Sequence, residues 1–220
     1  MSLNTVIFDM DGLLIDSEPL WEEAANEVFK LYRLSLTEAQ YVSTTGLRTK
    51  EFVQFWFDYY KIAATEQVKA EKKIIEVVIN KIAQKGTIMP GVQYAFDFFK
   101  NKGFKIGLAT SSPNELIDVV VNLINVKQYL DAVSSAEDMA HGKPHPQVYL
   151  DCASKLQSSP IQCICFEDSF NGMIAAKAAR MKCAVVPHHS QLKEERWGAA
   201  DLKLSSLQNF GELHFNLVNG

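Results

Sequence analysis

Short apolar runs alternate with amphipathic stretches along most of the chain. Runs of strand length lie at residues 6–8, 105–110, 132–135, 163–166 and 183–186. The stretches between them carry apolar side chains at helical spacing, at residues 92–101, 146–156, 172–181 and 206–218. Because strands alternating with helices are joined by right-handed crossovers, the pattern predicts an α/β fold. We expect a Rossmann-like open parallel sheet with helices on both faces.

One long segment interrupts this alternation directly after the first strand. Residues 17–88 contain helical patterns and no convincing strand, and the stretch 66–84 has a continuous apolar stripe. We therefore predict an inserted all-α helical cap at residues 17–88, with a core formed by 1–16 and 89–220. An insertion at this point would lie over the carboxyl ends of the strands, where open α/β sheets bind ligands.

Three positions have the sequence signature of a helix start. Ser17 precedes a helix with proline in its first turn, and Thr37 and Gln40 form a capping-box pattern. Ser112 and Glu115 repeat that pattern, with a proline between them. The sequence predicts that each of these hydroxyls caps a helix.

Composition limits the classes of function. The 220 residues are 47% hydrophobic and 22% charged with a net charge of −4, which is ordinary for a globular protein and argues against nucleic acid as a partner. No apolar run has the length of a membrane span, and the four cysteines lack a zinc-type spacing. We expect a cytoplasmic protein, a monomer, with neither a membrane nor a nucleic acid as partner.

Two aspartates follow the first apolar run and are separated by one residue. Asp9 and Asp11 lie on either side of a methionine, and Gly12 permits a tight exit from the strand. Carboxylates this close repel each other unless a proton or a cation offsets their charge. The segment is thus typical of a strand end that holds a divalent metal, although acidic turn residues would look the same.

Other strand ends carry complementary groups. Thr110 and Ser111 end one run, Glu167 and Asp168 end another, and Lys143 lies in a loop between them. Each alone could be a turn residue, a cap or a solvated lysine, but parallel strand ends gather in one crevice. Carboxylates suit Mg²⁺, whereas a hydroxyl, a backbone amide and an ammonium group can hold phosphoryl oxygens. The set favours phosphoryl transfer.

These motifs resemble those of a known family. Asp9-Met10-Asp11-Gly12, Thr110, Lys143 and Glu167-Asp168 are similar to the four motifs of the haloacid dehalogenase-like hydrolases. The stretch from residue 8 to 18, FDMDGLLIDSE, resembles the β-phosphoglucomutase-like branch and its sugar-phosphate phosphatases, such as 2-deoxyglucose-6-phosphatases. The resemblance spans essentially the whole chain and implies a magnesium-dependent phosphatase that acts on a small sugar phosphate (a hexose or deoxyhexose phosphate).

The resemblance also implies a role for each motif. Asp9 would form an aspartyl-phosphate, while Asp11 would protonate the leaving group and then activate water. Asp9, the Asp11 carbonyl and Asp168 would hold Mg²⁺, with Glu167 beside them in the metal site.

Substrate binding is the second implied role. Thr110, Ser111 and Lys143 would bind the phosphoryl group. Gly46-Leu47-Arg48 matches a cap loop that enters the site in this branch. Arg48 is therefore expected to contact the substrate, although a surface arginine after a turn is the alternative.

Residue 21 bears on the choice between hydrolysis and mutase activity. True β-phosphoglucomutases carry a histidine on the first cap helix that is associated with proton transfer, and Trp21 stands at the corresponding position here. This difference favours transfer of the phosphoryl group to water. A phosphosugar mutase remains the main alternative, and a receiver-like signalling module or a non-catalytic phosphosugar-binding protein are more remote ones.

Overall fold

A computed structural model describes residues 2–220 of the chain. In this part of the protein, six strands form one sheet: β1 (Thr5–Phe8), β2 (Lys105–Thr110), β3 (Ala132–Ser135), β4 (Cys163–Glu167), β5 (Lys182–Val185) and β6 (Leu202–Lys203). The strand order is β3-β2-β1-β4-β5-β6, and every neighbouring pair is parallel. The predicted open parallel sheet is confirmed. Its short edge strand β6 has no clear signal in the sequence.

Helices cover both faces of this sheet. The helices are α1 (Glu18–Leu31), α2 (Glu38–Val42), α3 (Thr49–Tyr59), α4 (Gln67–Lys85), α5 (Val92–Asn101), α6 (Asn114–Leu123), α7 (Gln147–Lys155), α8 (Phe170–Ala178) and α9 (Glu212–Asn219). Successive side chains of β1 point to opposite faces. Phe8 stacks on Phe96 of α5, whereas Ile7 belongs to the other apolar cluster, which includes Tyr149 of α7. Because β1 is buried on both faces, its sequence is a continuous apolar run.

Helices α1 to α4 occupy the chain between β1 and α5. The two connections to this helical segment run side by side, because Asp16 N–H donates to the Thr87 carbonyl and Met89 N–H donates to the Leu14 carbonyl. An isolated bridge between Ile15 and Ile88 continues this pairing. The helices therefore leave and rejoin the sheet at one place. Assigning residues 17–88 to a separate cap remains a prediction.

Two of the three expected helix caps differ from the prediction. Thr37 forms its capping box with Gln40. Ser17 and Ser112 precede α1 and α6, but neither hydroxyl caps its helix, because each donates to a carboxylate oxygen of Asp11. The Asp11 carboxylate, a charged acceptor, thus orients both hydroxyls towards itself, and neither oxygen accepts a backbone N–H of the first turn of its helix.

The C-terminal helix is also shorter than expected. The prediction ran from residue 206 to 218, but a 3-10 turn at Leu207–Asn209 is followed by an extended Gly211, and α9 begins after it. None of the helices within residues 2–220 is both long and apolar enough to cross a membrane.

Candidate active site

The floor of the site is a buried group of charges at the carboxyl ends of β1 and β4. Lys143 is 1% exposed, and its Nζ lies 2.7 Å from Asp9 Oδ1 and 2.6 Å from Glu167 Oε1. A third contact reaches the carbonyl of Ala109 at 3.3 Å. Burial alone would lower the pKa of Lys143, but the two carboxylates outweigh burial and raise it. The lysine is therefore held as a cation between two acids.

Glu167 is fixed from both sides. Besides Lys143, its Oε1 accepts the hydroxyl of Tyr149, and its Oε2 accepts the backbone N–H and the hydroxyl of Ser169. The side chain is fully buried against the first turn of α8. With both oxygens already accepting hydrogen bonds, Glu167 is suited to position Lys143.

Burial and neighbouring charges raise the pKa values of Asp9 and Asp168. Burial, followed by the charge of Glu167, raises the pKa of Asp9 to about 7, although Lys143 opposes the rise. Burial and then the charge of Asp9 raise the pKa of Asp168 well above its usual value. Without a further cation, the charged carboxylate forms of these two acids are thus destabilised.

The donor set fits a hard divalent cation. One carboxylate oxygen from each of Asp9, Glu167 and Asp168 can be chosen so that all lie within 4.8 Å of one another. Gly12 keeps the approach open: its φ is +70°, and a side chain there would collide with the Asp168 carboxylate. Oxygen ligands at these separations suit Mg²⁺.

Asp11 lies beside the floor and has its own set of donors. Its Oδ1 accepts the Ser17 hydroxyl and the Trp21 indole N–H, both at 2.8 Å, and its Oδ2 accepts the Ser112 hydroxyl at 2.7 Å. These donors come from the loop before α1, from α1 itself and from the loop after β2. Asp11 is thereby tied both to the helical segment and to the core, whereas the salt bridge of Asp9 lies within the core.

Thr110 and Ser111 line the cavity next to the two aspartates. The Thr110 oxygen accepts the backbone N–H of Ser112, so its proton can be donated to a ligand. The Ser111 hydroxyl donates to the carbonyl of Gly46 in the loop before α3. Ser111 thus connects the sheet to the helical segment, which leaves its backbone amide as the group suited to a phosphoryl oxygen.

Arg48 occupies a different environment from the one expected of a substrate ligand. Its side chain is buried, and its guanidinium donates to the carbonyls of Ala136 and Met139 and to Glu51 Oε1. Arg48 is not among the residues that line the cavity. In this structure, it fastens the loop before α3 to the loop after β3.

The remaining wall of the cavity comes from α1 to α4 and is mostly uncharged. Its side chains are aromatic, aliphatic or hydroxyl-bearing, with Glu18 as the acidic exception: Glu18, Trp21, Ala25, Tyr41, Thr44, Thr45, Leu47, Thr49, Phe52 and Ile74. We call this surface the roof, and the cluster Asp9, Lys143, Glu167 and Asp168 the floor. The sequence predicted the floor residues. For the roof it predicted the general position of the helices and the entry of the Gly46-Leu47 loop, and it singled out Trp21.

Several contacts of the site were also missed. Trp21 was noted as a substitution, but its hydrogen bond to Asp11 was not foreseen, nor were the roles of Tyr149 and Ser112. Tyr149 lies six residues after Lys143, at a position that helical periodicity assigns to the core. The run of polar groups in Ser111-Ser112 was the one available signal for a second hydroxyl at the site.

An open parallel sheet with paired aspartates after its first strand, a buried lysine and an acidic pair after β4 defines a phosphoryl-transfer type of α/β hydrolase. Residues 6–186 match the family model described as haloacid dehalogenase-like hydrolase. The chain belongs to the haloacid dehalogenase-like hydrolase family. This confirms the resemblance inferred from the motifs and the prediction of an enzyme of the hydrolase class.

Characterised relatives and solved structures agree with this assignment. The chain is 40% identical to hexitol phosphatase B of Escherichia coli K12 over 91% of each chain. It is 28% identical to fructose-1-phosphate phosphatase YqaB of the same organism, over 80% of this chain and 92% of that protein. A β-phosphoglucomutase of Clostridium difficile has the same fold, with a TM-score of 0.87, 22% identity and coverage of 99% and 97%.

Proposed function

We propose that this protein is a magnesium-dependent phosphatase of small sugar phosphates, such as hexose, deoxyhexose or hexitol phosphates. The phosphoryl group is transferred to Asp9 and then to water. The observation that carries the proposal is the floor itself, in which a buried lysine joins Asp9 to Glu167 while Asp168 lies within metal-binding distance. The 40% identity to a hexitol phosphatase over 91% of the chain supports the class of substrate.

In the first half of the reaction, an Asp9 carboxylate oxygen attacks phosphorus and the bond from phosphorus to the sugar oxygen breaks. Asp11 gives its proton to the departing oxygen, so that the sugar leaves as an alcohol. Lys143, Thr110 and the Ser111 amide stabilise the charge that develops on the phosphoryl oxygens.

In the second half, water attacks the aspartyl-phosphate on Asp9 and Asp11 accepts the proton of that water. Inorganic phosphate leaves, and Asp9 returns to its carboxylate form. Asp9, Asp168 and the Asp11 carbonyl would hold Mg²⁺, which would offset the negative charge of the phosphoryl group and the acids. Glu167 acts through Lys143, because its oxygens already accept hydrogen bonds.

The decisive experiment is phosphate release from a panel of sugar phosphates by wild type and by Asp9→Asn. Loss of the nucleophile is expected to reduce kcat by at least about 10³-fold. Asp118→Asn, an exposed position on α6, is the matched control and is expected to keep wild-type activity. Chelation should abolish the wild-type rate and added Mg²⁺ should restore it. Wild-type turnover by Asp9→Asn would rule out the proposal.

The mutase alternative shares this fold and makes a different prediction. A mutase would interconvert sugar phosphate isomers and release little free phosphate. Trp21, which donates to Asp11 where mutases carry a histidine, favours hydrolysis. Following isomer formation and phosphate release in the same reaction distinguishes the two, since a phosphatase produces phosphate in step with substrate loss.

A further inference from the structure

The charged groups that line the cavity are distributed unevenly. Among the described residues that line it, four are acids, at Asp9, Asp11, Glu18 and Asp168, and Lys143 is the single base. Lys143 is already bound to Asp9 and Glu167 on the floor. The roof therefore offers a ligand hydroxyl groups, aromatic faces and one acid, but no cation.

Arg48, a cation that adjoins the roof in the sequence, is itself neutralised. Arg48 lies next to the lining residues Leu47 and Thr49, but its guanidinium points away to two carbonyls of the loop after β3. A salt bridge of 2.5 Å to Glu51 offsets its charge. Releasing Arg48 to a ligand would leave Glu51 and these carbonyls without their donor, which is costly in a buried place.

The lysines of α4 do not line the cavity, and Lys72 is exposed to solvent. Lys69 pairs with Glu66 and Lys73 pairs with Glu76, at 2.9 and 3.0 Å, and both lysines are exposed on the outer side of the helix. The α4 residue that lines the cavity is Ile74, which is 1% exposed. The inner face of α4 is thus apolar and its outer face carries the charge.

From this distribution we infer that the cavity accepts only phosphate esters whose leaving group is uncharged. A second phosphate or a carboxylate on the sugar would be buried against the roof without a counter-charge, and desolvating an unpaired anion is strongly unfavourable. Neutral polyols, by contrast, match the hydroxyl of Thr45 and the faces of Trp21 and Phe52. The inference rests on the proposed function and narrows its class of substrate.

The same distribution bears on the mutase alternative. A phosphoryl group that is moved between two positions of one sugar passes through a bisphosphate, and the second phosphate must then be held by the roof. A roof without a free cation is poorly suited to hold it. Selection of an uncharged leaving group and transfer to water are therefore two consequences of one electrostatic property.

The test compares two substrates that differ at one carbon. Glucitol 6-phosphate and 6-phosphogluconate share the phosphate and the carbon chain, but the second ends in a carboxylate instead of a hydroxymethyl group. We expect kcat/KM to be at least about 100-fold higher for the hexitol ester at constant free Mg²⁺. Equal values for the two substrates would overturn the inference. Absence of phosphate release from every ester would instead contradict the proposed function.

A substitution that adds a cation to the roof tests whether the lack of one causes the discrimination against charged leaving groups. Thr49 lines the cavity, is half-buried and occupies the first position of α3. Thr49→Lys is expected to raise kcat/KM for 6-phosphogluconate relative to glucitol 6-phosphate by about 5-fold or more. Thr49→Met, of similar length but uncharged, should leave that ratio unchanged. If both variants fold and shift the ratio equally, the missing cation is not the cause.

Discussion

The floor and the roof of the cavity are built on different principles. On the floor, Asp9, Lys143 and Glu167 are joined by salt bridges, and Lys143 is 1% exposed between the two acids. On the roof, the side chains are largely uncharged and are held by the packing of α1 to α4. A floor of this kind tolerates almost no substitution, whereas a roof can change one residue at a time.

This difference separates chemistry from specificity. In the proposed reaction, the floor binds the phosphoryl group that all substrates share, and its geometry depends on strands at the centre of the sheet. The roof would then face the leaving group, which differs among substrates. Asp11 lies at the boundary, because the core provides its backbone while Trp21 of α1 holds its carboxylate. Substitutions on the two surfaces test this division, and the largest effect is expected on the floor.

Removing the cation of the floor should have the largest effect. Lys143→Met is expected to lower kcat by at least about 10³-fold, because the phosphoryl oxygens lose their charged donor. It should also destabilise the protein by about 3–5 kcal/mol, since Asp9 and Glu167 are left buried without a counter-charge. Phosphate release and urea unfolding measure the two effects.

Lys127→Met, at an exposed lysine outside the site, is the matched control and should change neither quantity. If Lys143→Met retained wild-type stability, the floor would not be the interlocked unit that the structure shows.

Breaking the hydrogen bond between Trp21 of the roof and Asp11 should have a smaller and more selective effect. Trp21→Phe removes the indole donor to Asp11 but keeps an aromatic roof. We expect kcat for a sugar phosphate to fall about 10-fold, because proton transfer to an alkoxide leaving group needs a well-placed acid. The rate with p-nitrophenyl phosphate, whose leaving group departs as a stable anion, should fall less than about 3-fold.

Ser17→Ala provides an independent check, because Ser17 donates to the same Asp11 oxygen but does not line the cavity. It should show the same dependence on the leaving group. An equal loss with both kinds of substrate would mean that Trp21 acts only through packing.

The floor was predictable from the sequence and the roof was not, for physical reasons. Asp9, Thr110 and Asp168 end strands, so the topology of a parallel sheet places them together whatever their side-chain directions. Trp21 and Phe52 lie on helices whose mutual rotation depends on tertiary packing, which periodicity alone does not determine. Arg48 illustrates the limit, since its position in the loop was predicted but the direction of its guanidinium was not.

The raised pKa values of Asp9 on the floor and Glu18 on the roof predict how stability depends on pH when metal is removed. Burial raises the pKa of Asp9 to about 7, and burial with the charge of Asp11 raises that of Glu18 to about 8. Their contribution to stability is fully present below the unfolded values near 4 and is lost as pH rises through 7 to 8. The metal-free protein should therefore have a lower Tm at pH 8 than at pH 5.

Mg²⁺ should remove much of this loss, because it binds the ionised acids and stabilises the folded state. Thermal unfolding at both pH values, with chelator or with Mg²⁺, is the measurement. A larger Mg²⁺-induced rise in Tm at pH 5 than at pH 8 would contradict the assignment of Asp9 and Asp168 as metal ligands.

The smallest effect is expected at the contact between the roof loop and the core. Arg48→Met removes the hydrogen bonds to Ala136 and Met139 and the salt bridge to Glu51. Because buried acceptors lose their donor, we expect a loss of about 1–3 kcal/mol in stability. KM should rise only a few-fold and by the same factor for every sugar phosphate, since Arg48 does not line the cavity.

A double-mutant cycle with Glu51→Gln separates this role from direct substrate binding. If the two side chains act as one contact, the double variant should be no less stable than Arg48→Met alone, with a coupling energy of about 0.5–3 kcal/mol. A guanidinium that bound substrate would instead raise KM strongly and to different extents for different esters, whether or not Glu51 is present. That result would place a cation in the roof and remove the basis for its selection of uncharged leaving groups.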